Sequence, residues 1–455
     1  MRYAIHAGRI VDPAQGLDGP GTVLIEDDRI AAIGHNVTRE GEPVEALPPG
    51  WVMAPGFVDL HAHLREPGQE AKETIATGTR AAARGGFTTI CCMPNTSPVL
   101  DTAAALALVA ERAKDAPARV RPIGAITKGE EGRELAGMLE LAEAGAVAFS
   151  DDGRPVSHTG IMRHALDYAA PLGLPVVEHC QDDDLVAGGV MHEGAVATRL
   201  GLKGWPANGE DIMLARDVLL VGEAKARYHA AHLSTAGAVE LVREAKRRGL
   251  PVTAEVTPHH LLLTDDWVAG ERSGPLADAL HALGIRVPSG LRYDTNTKVN
   301  PPLRTAAECA ALLAGLLDGT IDAIATDHAP HTSVDKDCEY ADAAFGISGF
   351  ETALASMLAL VHTGALPLET LIAALTVRPA AAFKLDAGSL RPGALADITI
   401  FDPDEEWVVD PNHFASKGKN TPLAGITLRG RVRRTLLAGR IVFDAAQEDE
   451  AHHAS

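Results

Sequence analysis

The chain has 455 residues, of which 46% are hydrophobic and 22% charged, as is ordinary for a globular protein with a sizeable core. Its net charge of −20 disfavours nucleic acid and anionic lipid as general partners, so an anionic small substrate would need a local positive site. No apolar run approaches the roughly 18 residues of a membrane span, and five cysteines without a CxxC pair predict reduced thiols in the cytoplasm.

Short β-strands are predicted at both ends of the chain. The N-terminal segments YAIHAGRIVDP and GTVLIEDDRIAAIG are punctuated by Gly and Asp turns, and ADITIFDP, VRRTLLAGR and IVFD have the same character near the other end. Neither group is long enough to bury a core alone. We therefore predict one small β-sandwich formed by both termini, from residues 1–53 and 387–444, followed by a disordered tail at 445–455.

Residues 54–386 alternate short apolar strands with Ala- and Leu-rich helices. The predicted strands are 57–64, 87–93, 120–126, 146–150, 175–179, 227–233, 252–256 and 321–327. Eight such alternations predict an α/β fold, a (β/α)8 TIM-like barrel. An open doubly wound sheet is the alternative, and the lack of a Gly-rich dinucleotide fingerprint after any early strand weakens it.

The segment 270–297 interrupts this rhythm after the seventh strand, at the predicted mouth of the barrel. It is interpreted either as a surface insertion or as a lid over the substrate. The sequence leaves both interpretations open.

The strongest local signal is His61-Ala62-His63 at the end of the first barrel strand. Side chains alternate along a strand, so both imidazoles point to one face, together with Asp59. Two histidines inside a barrel suit a divalent metal, although a pair of hydrogen-bonded structural histidines is the alternative.

Metal-ligand residue types recur at the ends of other strands, where barrel enzymes place their active sites. These residues are Asp151 and Asp152, Glu178 and His179, His229 and His232, and Asp327, His328 and His331. Six of these candidates are more ligands than one four-coordinate zinc needs: His61, His63, Asp152, His179, His232 and Asp327. Two zinc ions bridged by a carboxylate and a hydroxide therefore fit better, and a single zinc is the alternative. Asp152 is the predicted bridge and Asp151 its rival. The roles of His259 and His260 stay open.

Longer motifs then resemble a known family. The runs APGFVDLHAHLREPGQEAKETIATGTRAAARGGFTTICCMPNTSPV and ATDHAPH resemble the two halves of the bacterial class I dihydroorotase signature, and VNPPLR and AFGISGFET resemble the same family. The similarity covers essentially the whole chain. It implies a metallo-barrel of the amidohydrolase superfamily that interconverts (S)-dihydroorotate and N-carbamoyl-L-aspartate in pyrimidine (UMP) biosynthesis.

The resemblance also implies roles for individual residues. It places His61 and His63 on one zinc with Asp327, His179 and His232 on the other, and Asp152 between them. It implies that Arg65, Asn95 and His331 contact the substrate carboxylate, and that Asn300, Phe345 and Gly346 contact the ring. A homodimer and an association with aspartate carbamoyltransferase are left open by the family.

The expected chemistry follows from the residue types. Zinc lowers the pKa of bound water and polarises a carbonyl, so a metal-bound hydroxide would attack the ring amide. Asp327 would carry the proton from that water to the leaving nitrogen; its alternative is a plain ligand. Arg65 offers a planar fork for a carboxylate, with an ion pair to Glu66 as its alternative.

Two rival functions are weighed against this one. An allantoinase or a dihydropyrimidinase (hydantoinase) usually carries a carboxylated lysine on strand four, where AFSDDG offers only aspartate. A catalytically dead scaffold of aspartate carbamoyltransferase would have lost metal ligands, and the sequence retains all of them.

Overall fold

The computed structural model describes residues 2–35, 37–38 and 41–448. Its strands are β1 (Arg2–Asp12), β2 (Leu17–Glu26), β3 (Arg29–Gly34), β4 (Val44–Ala46), β5 (Val52–Pro55), β6 (Phe57–Ala62), β7 (Phe87–Cys92), β8 (Arg119–Pro122), β9 (Gly124–Ala125), β10 (Phe149–Ser150), β11 (Val176–Glu178), β12 (Met191–His192), β13 (Gly204–Trp205), β14 (Tyr228–Ala230), β15 (Val252–Val256), β16 (Ala323–Ile324), β17 (Ile398–Val408), β18 (Thr427–Leu437) and β19 (Arg440–Asp444).

The α-helices are α1 (Ile75–Arg84), α2 (Ala103–Arg112), α3 (Met138–Glu143), α4 (Thr159–Leu172), α5 (Asp183–Val186), α6 (Ala195–Leu200), α7 (Asn208–Ala224), α8 (Ala236–Arg247), α9 (Pro258–Leu262), α10 (Pro275–Ala282), α11 (Ala306–Leu317), α12 (Ser333–Lys336), α13 (Ala353–His362), α14 (Leu368–Leu375) and α15 (Val377–Phe383). Within the described ranges, none of these helices has the length and apolar character needed to cross a membrane.

Parallel strands form the barrel in the predicted order. Six pair as β9–β10–β11–β14–β15–β16 and three as β6–β7–β8, with β8 and β9 forming the two halves of the predicted third strand. A parallel bridge between Ala62 and His328 joins the first strand to the chain beyond β16. The His63 amide donates to the His328 carbonyl at 2.8 Å, which extends this closure.

Threonine side chains set where several barrel helices begin. The hydroxyls of Thr74, Thr102, Thr235 and Thr305 each accept a hydrogen bond from a backbone amide in the first turn. Such caps satisfy amides that have no partner inside the helix. The helices then pack Ala and Leu faces onto the strands, and the strand ends are left to carry polar residues.

Strands from both ends of the chain form one eight-stranded sheet, in the order β19–β18–β17–β5–β1–β2–β3 with β4 beside β1. Antiparallel pairing of β5 with β17 joins the two ends, and Ile5, Val23, Ile398 and Leu436 belong to a core separate from that of the barrel. The sheet thus buries apolar side chains that neither terminal segment could bury alone. The predicted limits 1–53 and 387–444 stay predictions, and β5 continues to Pro55.

The predicted tail, 445–455, is only partly described, and residues 449–455 lie outside the described ranges. In the described part, Ala445 is buried and the Glu448 carboxylate lies 3.0 Å from the Arg84 guanidinium.

The segment 270–297 packs onto the body of the protein. Its helix α10 buries Leu276 and Leu280, and α10 contacts α13. The Tyr293 hydroxyl donates to the Leu200 carbonyl at 2.9 Å. These contacts favour the surface-insertion interpretation.

Candidate metal and substrate site

A polar cavity of about 250 Å³ opens at the carboxyl ends of the barrel strands. Its walls are formed by His63, Arg65, Asn95, Asp152, Gly153, His179, His232, Asn300, Asp327, Ala329, His331, Phe345 and Gly346. All the predicted site residues except His61 therefore line one cavity. His61 is fully buried next to it, with Nε2 3.3 Å from the Asp152 Oδ1. No residue of 270–297 is part of this wall.

His61 on β6 and His63 just after it both point into the site, as strand alternation predicts. The Nε2 atom of His61 lies 3.7 Å from Asp327 Oδ1, and that of His63 lies 3.1 Å from the same oxygen. Asp327 is contributed by the chain after β16, on the other side of the barrel closure. Three donor atoms, two from the end of the first barrel strand and one from the chain after the last, thus face a common space.

A second group of donors meets the first at Asp152. The Asp152 Oδ1 atom lies 3.9 Å from His179 Nδ1 and 3.7 Å from His232 Nε2, and these two nitrogens are 2.8 Å apart. His179 Nε2 donates to Gln181 Oε1 at 3.0 Å, which leaves Nδ1 as the atom free to bind a cation.

The structure also separates Asp151 from Asp152. Asp151 accepts hydrogen bonds from the backbone amides of Ile126 and Thr127, at 2.8 and 2.9 Å, so its carboxylate faces away from the cavity. Asp152 faces the four histidines. This geometry supports the predicted choice of Asp152 as the bridge.

Three residues of the site adopt left-handed backbone conformations. The φ angles are 61° for Arg65, 31° for His232 and 44° for Asp327. Residues other than glycine rarely adopt such angles, and the cost is of the order of 1–3 kcal/mol each. The predicted strands 227–233 and 321–327 are correspondingly shorter in the structure, because the chain leaves the strand to aim these side chains.

The donor set fits a divalent cation. His61 Nε2 and Asp152 Oδ1 are buried without a hydrogen-bond partner among the described residues. The donor atoms of His61, His63 and Asp327 lie within 4.8 Å of one another, as do those of His61, Asp152 and His232. Imidazole nitrogen with carboxylate oxygen is a combination that zinc accepts. These donors fit two neighbouring ions with His61 on one of them, because an imidazole nitrogen binds a single ion.

Charge coupling within this group is strong. Burial alone would lower the pKa of His61, but the Asp152 and Glu255 carboxylates raise it well above its usual value. Burial also opposes ionisation of Asp327, yet a hydrogen bond from His63 and the charge of His61 hold its pKa below the usual value. The carboxylates are therefore ionised at neutral pH, and His61 carries a proton when no metal competes for it.

Glu255 on β15 is a functional residue that the sequence reasoning missed. Its Oε1 accepts a hydrogen bond from His61 Nδ1 at 2.8 Å, and its Oε2 accepts one from His229 Nε2 at 3.1 Å. This contact fixes the His61 tautomer, so that Nε2 faces the metal space. The available signal was a lone glutamate inside the apolar strand VTAEV.

Cationic and amide groups form the outer end of the cavity. The Arg65 guanidinium donates to the Pro330 carbonyl at 3.3 Å and lies 3.2 Å from His331 Nε2, which also contacts the Phe345 carbonyl at 2.8 Å. Burial lowers the pKa of Arg65 to about 10, so it remains charged at neutral pH. Asn95 accepts a hydrogen bond from His63 Nδ1 at 3.0 Å.

Asn300 faces the cavity in a defined orientation. Its Nδ2 donates to Gln181 Oε1 at 3.2 Å, while its Oδ1 is buried without a partner in the described part of the chain. His259 and His260 lie outside the cavity wall. His260 contacts Thr257 and the Pro301 carbonyl, and burial lowers the pKa of His259 to about 4.

Comparisons with known proteins agree with this geometry. The family model described as dihydro-orotase-like matches residues 50–238. A curated protein from Anaeromyxobacter sp. (strain K), named dihydroorotase, is 54% identical over 98% of both chains. One of the same name from Pelotomaculum thermopropionicum is 52% identical over 97% of this chain and 99% of its own.

Solved structures share the whole fold. The L-hydantoinase (dihydropyrimidinase) from Arthrobacter aurescens superposes with a TM-score of 0.82 at 25% identity, covering 97% of this chain and 96% of its own. The dihydropyrimidinase from Brevibacillus agri gives a TM-score of 0.81 at 22% identity, over 98% and 95%. The predicted fold class, a barrel with a β-sandwich from both termini, is confirmed.

Replacing Glu255 should weaken metal binding. We expect Glu255→Gln to lower zinc affinity about 10- to 100-fold, because His61 loses the charged acceptor that orients it. Zinc affinity is measured by competition with a chromogenic chelator. Glu178→Gln is the matched control, since that buried carboxyl on β11 accepts from the Val156 amide instead of a histidine. Equal affinities in the two variants would contradict the orienting role.

Metal uptake should release protons near neutral pH. The raised pKa of His61 means that the metal-free protein holds a proton which a bound cation must displace. We expect the number of protons released per zinc to fall as the pH rises, because a smaller fraction of His61 then carries a proton. Calorimetric titration in buffers of different ionisation enthalpy gives this number, and an unchanging release across that range would count against the assignment.

Proposed function

Because this chain belongs to the dihydroorotase family and is a cyclic-amide hydrolase, we propose that it reversibly hydrolyses (S)-dihydroorotate to N-carbamoyl-L-aspartate in pyrimidine biosynthesis. The observation that carries the substrate assignment is a buried guanidinium beside a metal-type site. The end of the cavity with the metal-type residues suits the reacting amide, and the end with the guanidinium suits a carboxylate.

The charge of Arg65 is available to a ligand. Glu66, the sequence alternative for an ion pair, instead lies 3.4 Å from Arg112 and accepts from the Ile75 amide. The hydrogen-bond contacts of Arg65 are a carbonyl and an imidazole. An arginine of this kind binds a carboxylate strongly, and dihydroorotate carries one whereas dihydrouracil does not.

Asp327 is placed to move a proton between water and the leaving nitrogen. Its carboxylate lines the cavity, is ionised at neutral pH, and contacts His63 at 3.1 Å. Asp327 would accept the proton of the attacking water as the new C–O bond forms. It would return that proton to the ring nitrogen as the amide C–N bond breaks.

We assign two zinc ions per subunit to the inner end, with a single ion as the alternative. His61, His63 and Asp327 would hold one, His179 and His232 the other, and the Asp152 carboxylate would contribute to both. Zinc bound there supplies a more acidic water and polarises the amide carbonyl. Arg65, Asn95 and His331 would contact the substrate carboxylate, and Asn300, Phe345 and Gly346 the ring.

The rival cyclic amides are less well matched. Hydantoinases share the fold, but likeness of fold does not set the substrate. An uncharged ring leaves the Arg65 charge unpaired, which disfavours hydantoins, dihydropyrimidines and allantoin. An inactive scaffold would not need the complete donor set. A cytoplasmic location, a homodimer and association with aspartate carbamoyltransferase stay predictions of the sequence.

A substrate panel tests the proposal. Zinc-loaded enzyme should open dihydroorotate, with little activity on dihydrouracil or allantoin, and a chelator should abolish turnover. Arg65→Gln should raise the KM for dihydroorotate about 100-fold through loss of the charged contact. The weak activity on dihydrouracil should not change. Preference of the native enzyme for dihydrouracil would move the assignment to a dihydropyrimidinase.

Asp327→Asn should lower kcat by about 10²- to 10⁴-fold, because the amide cannot accept the proton. Zinc content and thermal unfolding are measured alongside, so that loss of metal is not mistaken for loss of proton transfer. Asp337→Asn, at an exposed position nearby, serves as control and should keep full activity. Near-native turnover of the Asp327 variant with full zinc content would refute the proton-transfer role.

A further inference from the structure

Two segments outside the barrel strands form the ring end of the cavity. Residues 295–300 carry Asn300, and residues 332–346 carry Phe345 and Gly346. Because no strand pairing fixes these segments, other contacts must set the distance between them. The side chain of Lys336 makes several of those contacts.

Lys336 belongs to the second segment and its side chain reaches the first, with 6% of its surface exposed. Its ammonium donates to the carbonyls of Thr295 at 3.1 Å, Lys298 at 3.4 Å and Ala344 at 2.6 Å. All three acceptors are backbone carbonyls and none is a carboxylate. Two acceptors belong to the first segment, and the third directly precedes Phe345.

Neighbouring contacts continue this connection into the cavity wall. The Gly346 amide donates to the Lys298 carbonyl at 2.8 Å, the same oxygen that Lys336 contacts. The Lys298 ammonium lies 4.4 Å from the centre of the Phe345 ring and donates to the Ala341 carbonyl at 2.7 Å. Displacement of Lys336 would therefore be transmitted to Phe345 and Gly346.

Holding a charged amine here is costly for the fold. Burial, and after it the charge of Lys298, lower the pKa of Lys336 to about 7, while Asp294, Cys338 and Asp335 act in the opposite direction. A buried charge without a paired carboxylate is usually less stable than an apolar side chain of similar size. Packing alone therefore does not explain a lysine at this position.

We propose that Lys336 is a positioning residue, whose ammonium holds 344–346 against 295–300 and so sets the pocket for the substrate ring. The inference rests on the proposed function, since it concerns binding of dihydroorotate. It assigns Lys336 no contact with the reacting atoms. Its effect should appear in KM and leave kcat and the metal site largely unchanged.

The first test replaces the ammonium with an apolar group of similar length. Lys336→Met should raise the KM for dihydroorotate about tenfold or more, the equivalent of about 1.4 kcal/mol in lost positioning contacts. Zinc content should be unchanged, kcat should stay within about threefold, and the melting temperature should be equal or higher. A merely structural lysine would instead lower the melting temperature and leave KM near the native value.

The second test restores a cation to the carbonyl cage. Lys336→Ala leaves room among the three carbonyls, and added ammonium chloride should lower its KM relative to choline chloride at equal ionic strength. Lys336→Met is the matched control, because its side chain fills that space and ammonium should have no effect. If Lys336→Met does not fold, the alanine variant purified in ammonium is tested alone, and removal of ammonium must raise KM.

The outcomes separate this inference from the assigned reaction. A native KM in Lys336→Met, a parallel fall of kcat and zinc content, or an alanine variant indifferent to ammonium would overturn the positioning role. Failure of the native zinc-loaded enzyme to open dihydroorotate would instead overturn the proposed function.

Discussion

The central constraint on this structure is the free-energy cost of burying carboxylates and imidazoles together at one end of a barrel. Asp152 and Asp327 are both buried, and their oxygens lie within 4 Å of histidine nitrogens from three different strands. Such a group is stable when a cation neutralises the carboxylates and occupies the imidazole nitrogens. The barrel brings these residues, which are distant in sequence, close enough to share an ion.

Supporting contacts make that arrangement rigid. Asp59 accepts from the Thr326 amide at 3.0 Å and from its hydroxyl at 2.5 Å, which joins β6 to the residue just before Asp327. Glu255 on β15 orients His61 through its Nδ1 atom. Two further buried carboxylates, Asp59 and Glu255, therefore hold residues at or beside the metal space. A misplacement of one strand end would disturb both groups of ligands, since Asp152 lies within 4 Å of histidines from both.

In the proposed assignment, the reaction chemistry and the selection of substrate depend on residues in different parts of the fold. The inner end is formed by strand ends, which this chain shares in architecture with hydantoinases. The outer end is formed by Arg65 and by two segments that are held together largely through backbone carbonyls. Barrel enzymes change substrate mainly in such connecting segments. The positions of Arg65 and Lys336 follow this division, because neither is part of the metal site.

Several features of this protein were determined by the sequence alone. The eight strand regions, the facing pair His61 and His63, and the placement of Asp327 at a strand end follow from side-chain alternation and from the order of elements. The assignment of Arg65 required family motifs, because a lone arginine after a strand indicates nothing by itself. Local periodicity is sufficient for such predictions, since it specifies which face a residue occupies.

Only the tertiary structure decided which polar residues meet. It separated Asp152 from Asp151 through hydrogen bonds made by residues 126 and 127, and it brought Glu255 to His61 across 194 positions of sequence. It also placed Lys336 among carbonyls from two distant segments. These relations depend on contacts between residues that are remote in sequence, and such contacts leave no periodic trace in the sequence.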